Sequence, residues 1–268
     1  MIITLTTDFG LQDHYVGALK GMIYTTLPQA KIVDISHLVD PFVTHQAAYI
    51  VRASYGYFPE KTIHILLVDA EISAENKPVL VIWNRHYFLS TDNGILSLLT
   101  QGETPEAILS LAFEEGVDSS LFFVKIASEI IGGKPVSELG QPVENLKEVQ
   151  RLKAIVSEDN RRITGNIIYI DHYGNAISNI PKKLFEQIRN GRDFEILFRN
   201  YTIRKIYASY SSFTSDKNAA TGEKIALFNN SELLEIALYK GNSKSGTAAS
   251  LLGIEYQSSI SVRFLDKP

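Results

Sequence analysis

Through the first 150 residues, short apolar runs alternate with stretches of helical period. Ile2 to Thr6 reads as a strand, Tyr15 to Thr26 as a helix stopped near Pro28, and Lys31 to Ile35 as a second strand. Gln46 to Tyr55 has helical spacing, with Thr44 as the expected cap, and Thr62 to Val68 is apolar enough for a strand buried on both faces. Val79 to Trp83 and Tyr87 to Leu89 predict a hairpin around Asn84-Arg85, followed by a turn at Asp92-Asn93-Gly94. Leu121 to Ile131 closes this half as a helix ended by Gly132-Gly133. Beyond about Lys153 the apolar runs become strands: Ala154–Ser157, Arg162–Ile170, Phe194–Phe198, Thr202–Tyr207, Lys224–Phe228, Leu233–Leu238 and Ser259–Phe264, with helical character only in Pro181–Arg189. The pattern predicts an α/β domain with a mainly parallel sheet over residues 1–150 and a small all-β, barrel-like domain over 151–268. The charged segment Glu144–Arg151 marks the boundary.

Composition narrows the function classes. Hydrophobic residues at 45% supply a core, and Lys+Arg 26 against Asp+Glu 30 leaves a net charge of −4, with no basic surplus for nucleic acid. A chain with Cys 0 has no disulfide, thiolate metal site or cysteine nucleophile. No apolar run is long enough for a membrane helix, and the N-terminus lacks a signal-peptide pattern, so a cytoplasmic protein is expected.

Ligands of a parallel sheet sit beyond the carboxyl ends of its strands, where Asp8, Asp34 and Asp69 fall. Each is equally well read as a cap or turn former; the three together favour a site, and a metal-dependent phosphatase is one way to use them. Asp8-Phe9-Gly10 spells a kinase tripeptide without any other kinase feature, and neither a dinucleotide fingerprint nor a P-loop is present. The six histidines have no paired ligand spacing, and His64, within a strand, reads as a core residue. In the second half, Asp171-His172-Tyr173-Gly174-Asn175 and Asn229-Asn230-Ser231 are open to both a turn and a functional reading.

In order along the chain, Thr6-Thr7-Asp8-Phe9-Gly10, Asp13-His14-Tyr15-Val16-Gly17, Val33-Asp34-Ile35-Ser36-His37, Asp92-Asn93-Gly94, Ile170-Asp171-His172-Tyr173-Gly174-Asn175 and Leu234-Glu235-Ile236-Ala237 resemble the S-adenosylmethionine hydroxide adenosyltransferase family, relatives of the fluorinase and chlorinase. The resemblance implies an α/β domain followed by a β-barrel. It also implies a homotrimer whose site lies between one subunit's first domain and a neighbour's second, with a small-molecule substrate and no cofactor. The implied reaction is attack of water or hydroxide on ribose C5′ of S-adenosylmethionine, giving adenosine and methionine. By their match to the family motifs, Asp8 would hold the ribose diol, Asp13 and Asp171 the methionine ammonium, Ser231 its carboxylate and Asn175 the adenine edge. Asp69 would orient and activate the water.

The chain departs from the family after Asp69, where Ala70-Glu71-Ile72-Ser73-Ala74-Glu75-Asn76-Lys77 replaces a Pro-Gly-Val-Gly-Thr run that leads to an arginine. Lys77 is then the candidate second catalytic residue, a point charge in place of a guanidinium fork. A family histidine segment falls on Val117-Asp118-Ser119-Ser120-Leu121, which has none. A hydrolase is the leading reading, and a catalytically silent homologue that binds S-adenosylmethionine or adenosine is the alternative.

Overall fold

The computed structural model describes residues 1–150, 152–215 and 220–265, so Arg151, at the end of the expected boundary segment, lies outside the described residues. The chain divides into two compact units, Met1–Gln150 and Arg151–Pro268.

In the first unit the elements run β1 (Ile2–Thr7), α1 (Tyr15–Thr26), β2 (Lys31–Ser36), α2 (Thr44–Ser54), β3 (Ile63–Leu67), β4 (Pro78–Trp83), β5 (His86–Thr91), α3 (Ile95–Thr100), β6 (Ala107–Ser110), α4 (Ser119–Ile131) and β7 (Gln141–Pro142). Among the described residues the strands form one seven-stranded sheet in the order β2-β1-β3-β5-β4-β6-β7. The sheet is mixed, which corrects the expectation of a mainly parallel one: β1, β2, β3 and β5 pair in parallel, whereas β4, β6 and β7 are joined by antiparallel pairings. The expected hairpin is itself the cause. Asn84 and Arg85 both take positive φ, 50° and 62°, as a two-residue turn matched to strand twist requires, so β4 and β5 are necessarily antiparallel. Thr44 is not the cap of α2; it is the first helical residue, after Val43.

The sheet is covered on both faces. Alternate residues of β3 divide between them, Ile63, Ile65 and Leu67 packing with Leu19 and Ile23 of α1 and Phe123, Ile126 and Ile130 of α4. Leu66 and Val68 pack with Ala47 and Val51 of α2 and with Leu96 and Leu99 of α3. The chain passes from β1 to β2 on one side and returns to β3 on the other. This reversal opens a crevice at the carboxyl ends of β1 and β3.

In the second unit come β8 (Ile155–Val156), β9 (Arg162–Ile170), β10 (Ala176–Pro181), α5 (Lys182–Arg189), β11 (Phe194–Phe198), β12 (Tyr201–Ile203), β13 (Ile206–Tyr207), α6 (Tyr210–Thr214), β14 (Lys224–Phe228), β15 (Leu233–Leu238), α7 (Ala248–Leu252) and β16 (Ser259–Phe264). The path is β12-β11-β16-β9-β10-β15-β14-β13, with β8 beside β9. Its two outermost strands, β12 and β13, are consecutive in the chain and separated only by Arg204 and Lys205, so the sheet curls back on itself as a nearly closed barrel. Ile163, Ile196, Leu234, Ile236 and Ile260 fill its core.

The unit is not all-β as expected. Besides α5, two one-turn helices start at reciprocal caps, Ser209 with Ser212 and Thr247 with Ser250, signals too local to register in apolar periodicity.

His64 is a core histidine, as its place in a strand predicts. Its Nδ1 lies 2.7 Å from Thr4 Oγ1 and its Nε2 3.1 Å from Nδ1 of His86, and its ring stacks on Phe88 at 4.7 Å. Burial, and secondarily His86, push its pKa down to about 3. Between the unfolded value near 6.5 and about 3, the unfolded chain binds a proton that the native ring refuses, so stability is lost as pH falls. Urea unfolding of the wild type should lose up to ~1.4 kcal/mol per pH unit from this group between ~6 and 4. In His64→Phe the slope should be shallower, despite a lower stability at neutral pH; equal slopes would contradict the assignment.

Candidate functional site

Asp8 immediately follows β1, and Asp69 comes two residues after the end of β3, so the parallel pairing of these strands brings both carboxylates to the crevice. Asp8 Oδ2 accepts the backbone N–H of Phe42 at 2.9 Å and that of Asp69 at 3.4 Å, which fixes its orientation and ties the two loops together. Asp69 has φ 49°, a left-handed conformation that Asp tolerates better than most residues. The conformation is held from behind by Asn93, whose Nδ2 donates to the Val68 and Asp69 carbonyls at 2.9 and 2.7 Å, while its Oδ1 accepts the N–H of Ile95. The turn expected at Asp92-Asn93-Gly94 therefore serves the site as well as the chain reversal. Burial is the main reason the Asp69 carboxyl titrates above the ordinary carboxylate range; the charges of Asp8 and Glu71 add to this, and Lys147 opposes it.

Asp34, the third strand-end acid, does not join this pair. Its Oδ2 takes Lys20 Nζ at 2.6 Å and its Oδ1 lies 3.2 Å from Nε2 of the buried His37. Those two contacts, with burial working against them, leave its carboxyl below the ordinary range. The other nitrogen of His37 lies 2.9 Å from Thr7 Oγ1, which also accepts the N–H of Phe9 at 3.2 Å. An ionised Asp34 carboxylate can only accept, so the tautomer that serves both neighbours carries its proton on Nε2 and accepts the Thr7 hydroxyl at Nδ1. The His37 carbonyl accepts the N–H of Gly10 at 2.8 Å, so Lys20, Asp34 and His37 together brace the Thr7–Gly10 turn on which Asp8 sits.

Asp13 is exposed, in the bend before α1. Lys77 is also exposed, and its carbonyl accepts the N–H of Asp92 at 2.8 Å. The cation that acts electrostatically on Asp69 is Lys147, from the boundary segment.

The residues expected in the second unit sit in two hairpin turns. Asp171 to Asn175 connects β9 and β10, with Asp171 Oδ1 accepting the Asn175 N–H at 2.8 Å and its Oδ2 accepting Asn175 Nδ2 at 2.9 Å. Gly174 has φ 73°, and a Cβ there would collide with the Thr247 side chain at the start of α7, so both conformation and space demand glycine. Ser231 lies in the β14–β15 turn, its N–H bonded to Asn229 Oδ1 at 3.0 Å. Asn229 also bonds the Glu235 carboxyl, which receives the Tyr210 hydroxyl at 2.5 Å. Burial, with the charge of Asp171 adding, pushes the Glu235 carboxyl above its ordinary range. Tyr210 is raised as well, by burial first and then by its bond to Glu235. Turn and functional readings are thus compatible here: the same bonds that make the first turn fix the orientation of the Asp171 carboxylate and the Asn175 amide.

Sequence reasoning missed Glu235, Tyr210, Asn93, His37 and Lys147 as parts of these networks. Glu235 carried a signal, as the single charge within the apolar run Leu233–Leu238, and Asn93 and His37 lay in segments already singled out, whereas Tyr210 and Lys147 carried none beyond their residue type.

Two family descriptions match the chain, the SAM hydroxide adenosyltransferase N-terminal domain over residues 3–140 and the SAM hydroxide adenosyltransferase C-terminal domain over residues 165–261. The (R)-S-adenosyl-L-methionine hydrolase of Methanocaldococcus jannaschii is 28% identical, with 97% of this chain and 95% of that protein covered. The protein of the same name from Thermus thermophilus is 24% identical over 89% of this chain and 92% of its own. An uncharacterized conserved protein of Thermotoga maritima has a crystal structure of the same fold, with a TM-score of 0.82 at 23% identity, covering 98% of this chain and all of that one.

His37→Ala should lower the unfolding free energy by ~1–3 kcal/mol, because it leaves the buried Thr7 hydroxyl without its ring partner and removes one of the two contacts of Asp34. An unchanged urea midpoint would show that the brace under Asp8 carries no energy.

Proposed function

The chain belongs to the SAM hydroxide adenosyltransferase family, and from that premise we propose that it hydrolyses S-adenosylmethionine to adenosine and methionine. The observation that carries this reading is the Asp8–Asp69 pair at the β1–β3 crevice, with its backbone clamps.

The chemistry asks little of acid catalysis, because the leaving group departs from a sulfonium as a neutral thioether. Water forms a bond to ribose C5′ as the C5′–S bond breaks, the electron pair passes to sulfur, and the water's proton must be taken up. The barrier is lowered mainly by holding one oxygen in line with the C5′–S bond and partly desolvated. Asp69 suits that role, because its raised pKa makes it a stronger base than an ordinary surface carboxylate and its backbone is pinned by Asn93. Asp8, with Oδ2 fixed by two N–H donors, offers a carboxylate of set orientation to the vicinal ribose hydroxyls.

The remaining roles are proposed on the family match. Asp13 and Asp171 attract the methionine ammonium, Ser231 bonds its carboxylate, and Asn175 reads the adenine edge. Because Asn175 Nδ2 is given to Asp171, it is Oδ1 that is turned to use as an acceptor. We also propose a homotrimer with no cofactor, acting in the cytoplasm; no helix among the described residues is long and apolar enough to cross a membrane.

Purified protein incubated with S-adenosylmethionine should release adenosine, followed by chromatography. Asp69→Asn should reduce kcat by ~100-fold or more, and Asp8→Ala should raise KM by ~10-fold or more through the lost charged hydrogen bonds. Binding of S-adenosylmethionine with no turnover would favour the silent-homologue alternative, and wild-type rates in Asp69→Asn would remove Asp69 from the mechanism.

A further inference from the structure

Asp69 stands among negative charges: Asp8 approaches from the end of β1, and Glu71 lies on its own loop. A carboxylate that is to take a proton from water must itself be ionised at working pH, and a nearby cation keeps it so against the acids around it. The family resemblance directs attention to Lys77, yet the geometry leads elsewhere.

The segment that follows β7 is strapped down at three neighbouring positions, two of them on the Asp92-Asn93-Gly94 turn. Leu146 packs into the apolar cluster that also holds Leu66 and Val68 of the chain leading to Asp69. Lys147 donates its backbone N–H to Asp92 Oδ1 at 2.9 Å. Val149 closes over Gly94, where a Cβ would come within 2.5 Å of a Val149 methyl; with φ 99° as well, that position admits only glycine.

The turn gripped by this strap, Asp92-Asn93-Gly94, is the one whose Asn93 holds the Asp69 carbonyl. The Lys147 ammonium is then sent back toward the catalytic loop, where Nζ reaches Asn76 Oδ1 at 3.3 Å. Asn76 closes that loop through its N–H on Ser73 Oγ at 3.1 Å and its carbonyl on the Ser73 N–H at 3.2 Å. One residue therefore joins the turn behind Asp69 to the loop in front of it and delivers a positive charge between them.

We propose that Lys147 is the positioning residue and counter-charge of Asp69, supplied by the strap after β7 rather than by the loop that bears Lys77. The proposal rests on the hydrolase reading for its catalytic meaning. The charged groups that bear on Asp69 are Asp8 from β1, Glu71 from its own loop and Lys147 from the strap. Asp92, the neighbouring acid, is pushed up by burial and drawn back by both the N–H and the charge of Lys147, which is why the test titrates Asp69 itself.

Lys147→Met keeps the backbone bond to Asp92 and most of the side-chain length while deleting the charge. In this variant the acid limb of the pH profile of kcat for adenosine release should move to higher pH, so the loss of rate grows as pH falls, while KM changes little. Lys147→Arg should return the limb toward its wild-type position. An acid limb unmoved in Lys147→Met, or one that moves instead in Lys77→Met, would overturn the proposal. A carboxyl carbon-13 titration of Asp69 decides the point without turnover: its midpoint should rise in Lys147→Met, and an identical midpoint would refute the assignment. If the wild type makes no adenosine, the hydrolase reading fails alone, and the titration still judges Lys147.

Discussion

Asp8 and Asp69 meet because β1 and β3 are parallel neighbours in register, Thr7 opposite Leu67, with the loops that carry them leaving the same end of both. Two carboxylates so placed repel, and the fold offsets that repulsion with backbone donors: the Phe42 and Asp69 N–H groups both point at Asp8 Oδ2. Most of the first unit can be understood as support for this arrangement. α2 and α3 cover one side of β3, α1 and α4 the other, and the Lys20–Asp34–His37–Thr7 chain and the Asn93 amide hold the two loops from beneath.

The strain is local and specific. Asp69 takes a left-handed backbone that most residues avoid, and its carboxyl is held above the usual range by burial and by its acidic neighbours. Such a combination has a cost in stability, and under the proposed reaction it has a use, since a carboxylate of raised pKa is a stronger base toward water than an ordinary one. The barrel unit follows the same logic. Asp171 and Asn175 orient each other within their hairpin turn, and Tyr210 of α6 fixes Glu235 on β15.

Periodicity locates the strands and long helices well because burial on one or two faces leaves a strong imprint: Tyr15–Thr26 is found as read, and the Asn84-Arg85 hairpin as well. The short helices α3, α6 and α7 escape it, because five or six residues barely exceed one helical turn, and the strands β6 and β10 escape as well. Strand-helix alternation overstates the parallel character of the sheet, because the reversal at the hairpin passes on to its neighbours β6 and β7. The strand-end acids are visible as a class, but not their division of labour. That Asp34 pairs with Lys20 while Asp8 and Asp69 face each other depends on contacts 14 and 61 residues apart in sequence. Lys147 is hidden for the same reason: in a charged boundary segment, nothing local distinguishes a solvated lysine from one aimed at a distant loop.

The oxygen that reaches ribose C5′ decides between this mechanism and any other. Turnover of S-adenosylmethionine in water enriched in oxygen-18, followed by mass spectrometry of both products, tests it most directly. The heavy oxygen should appear in the 5′-hydroxyl of adenosine and be absent from methionine. Unlabelled adenosine, or label in the amino-acid product, would mean that water does not attack where Asp8 and Asp69 are placed to direct it.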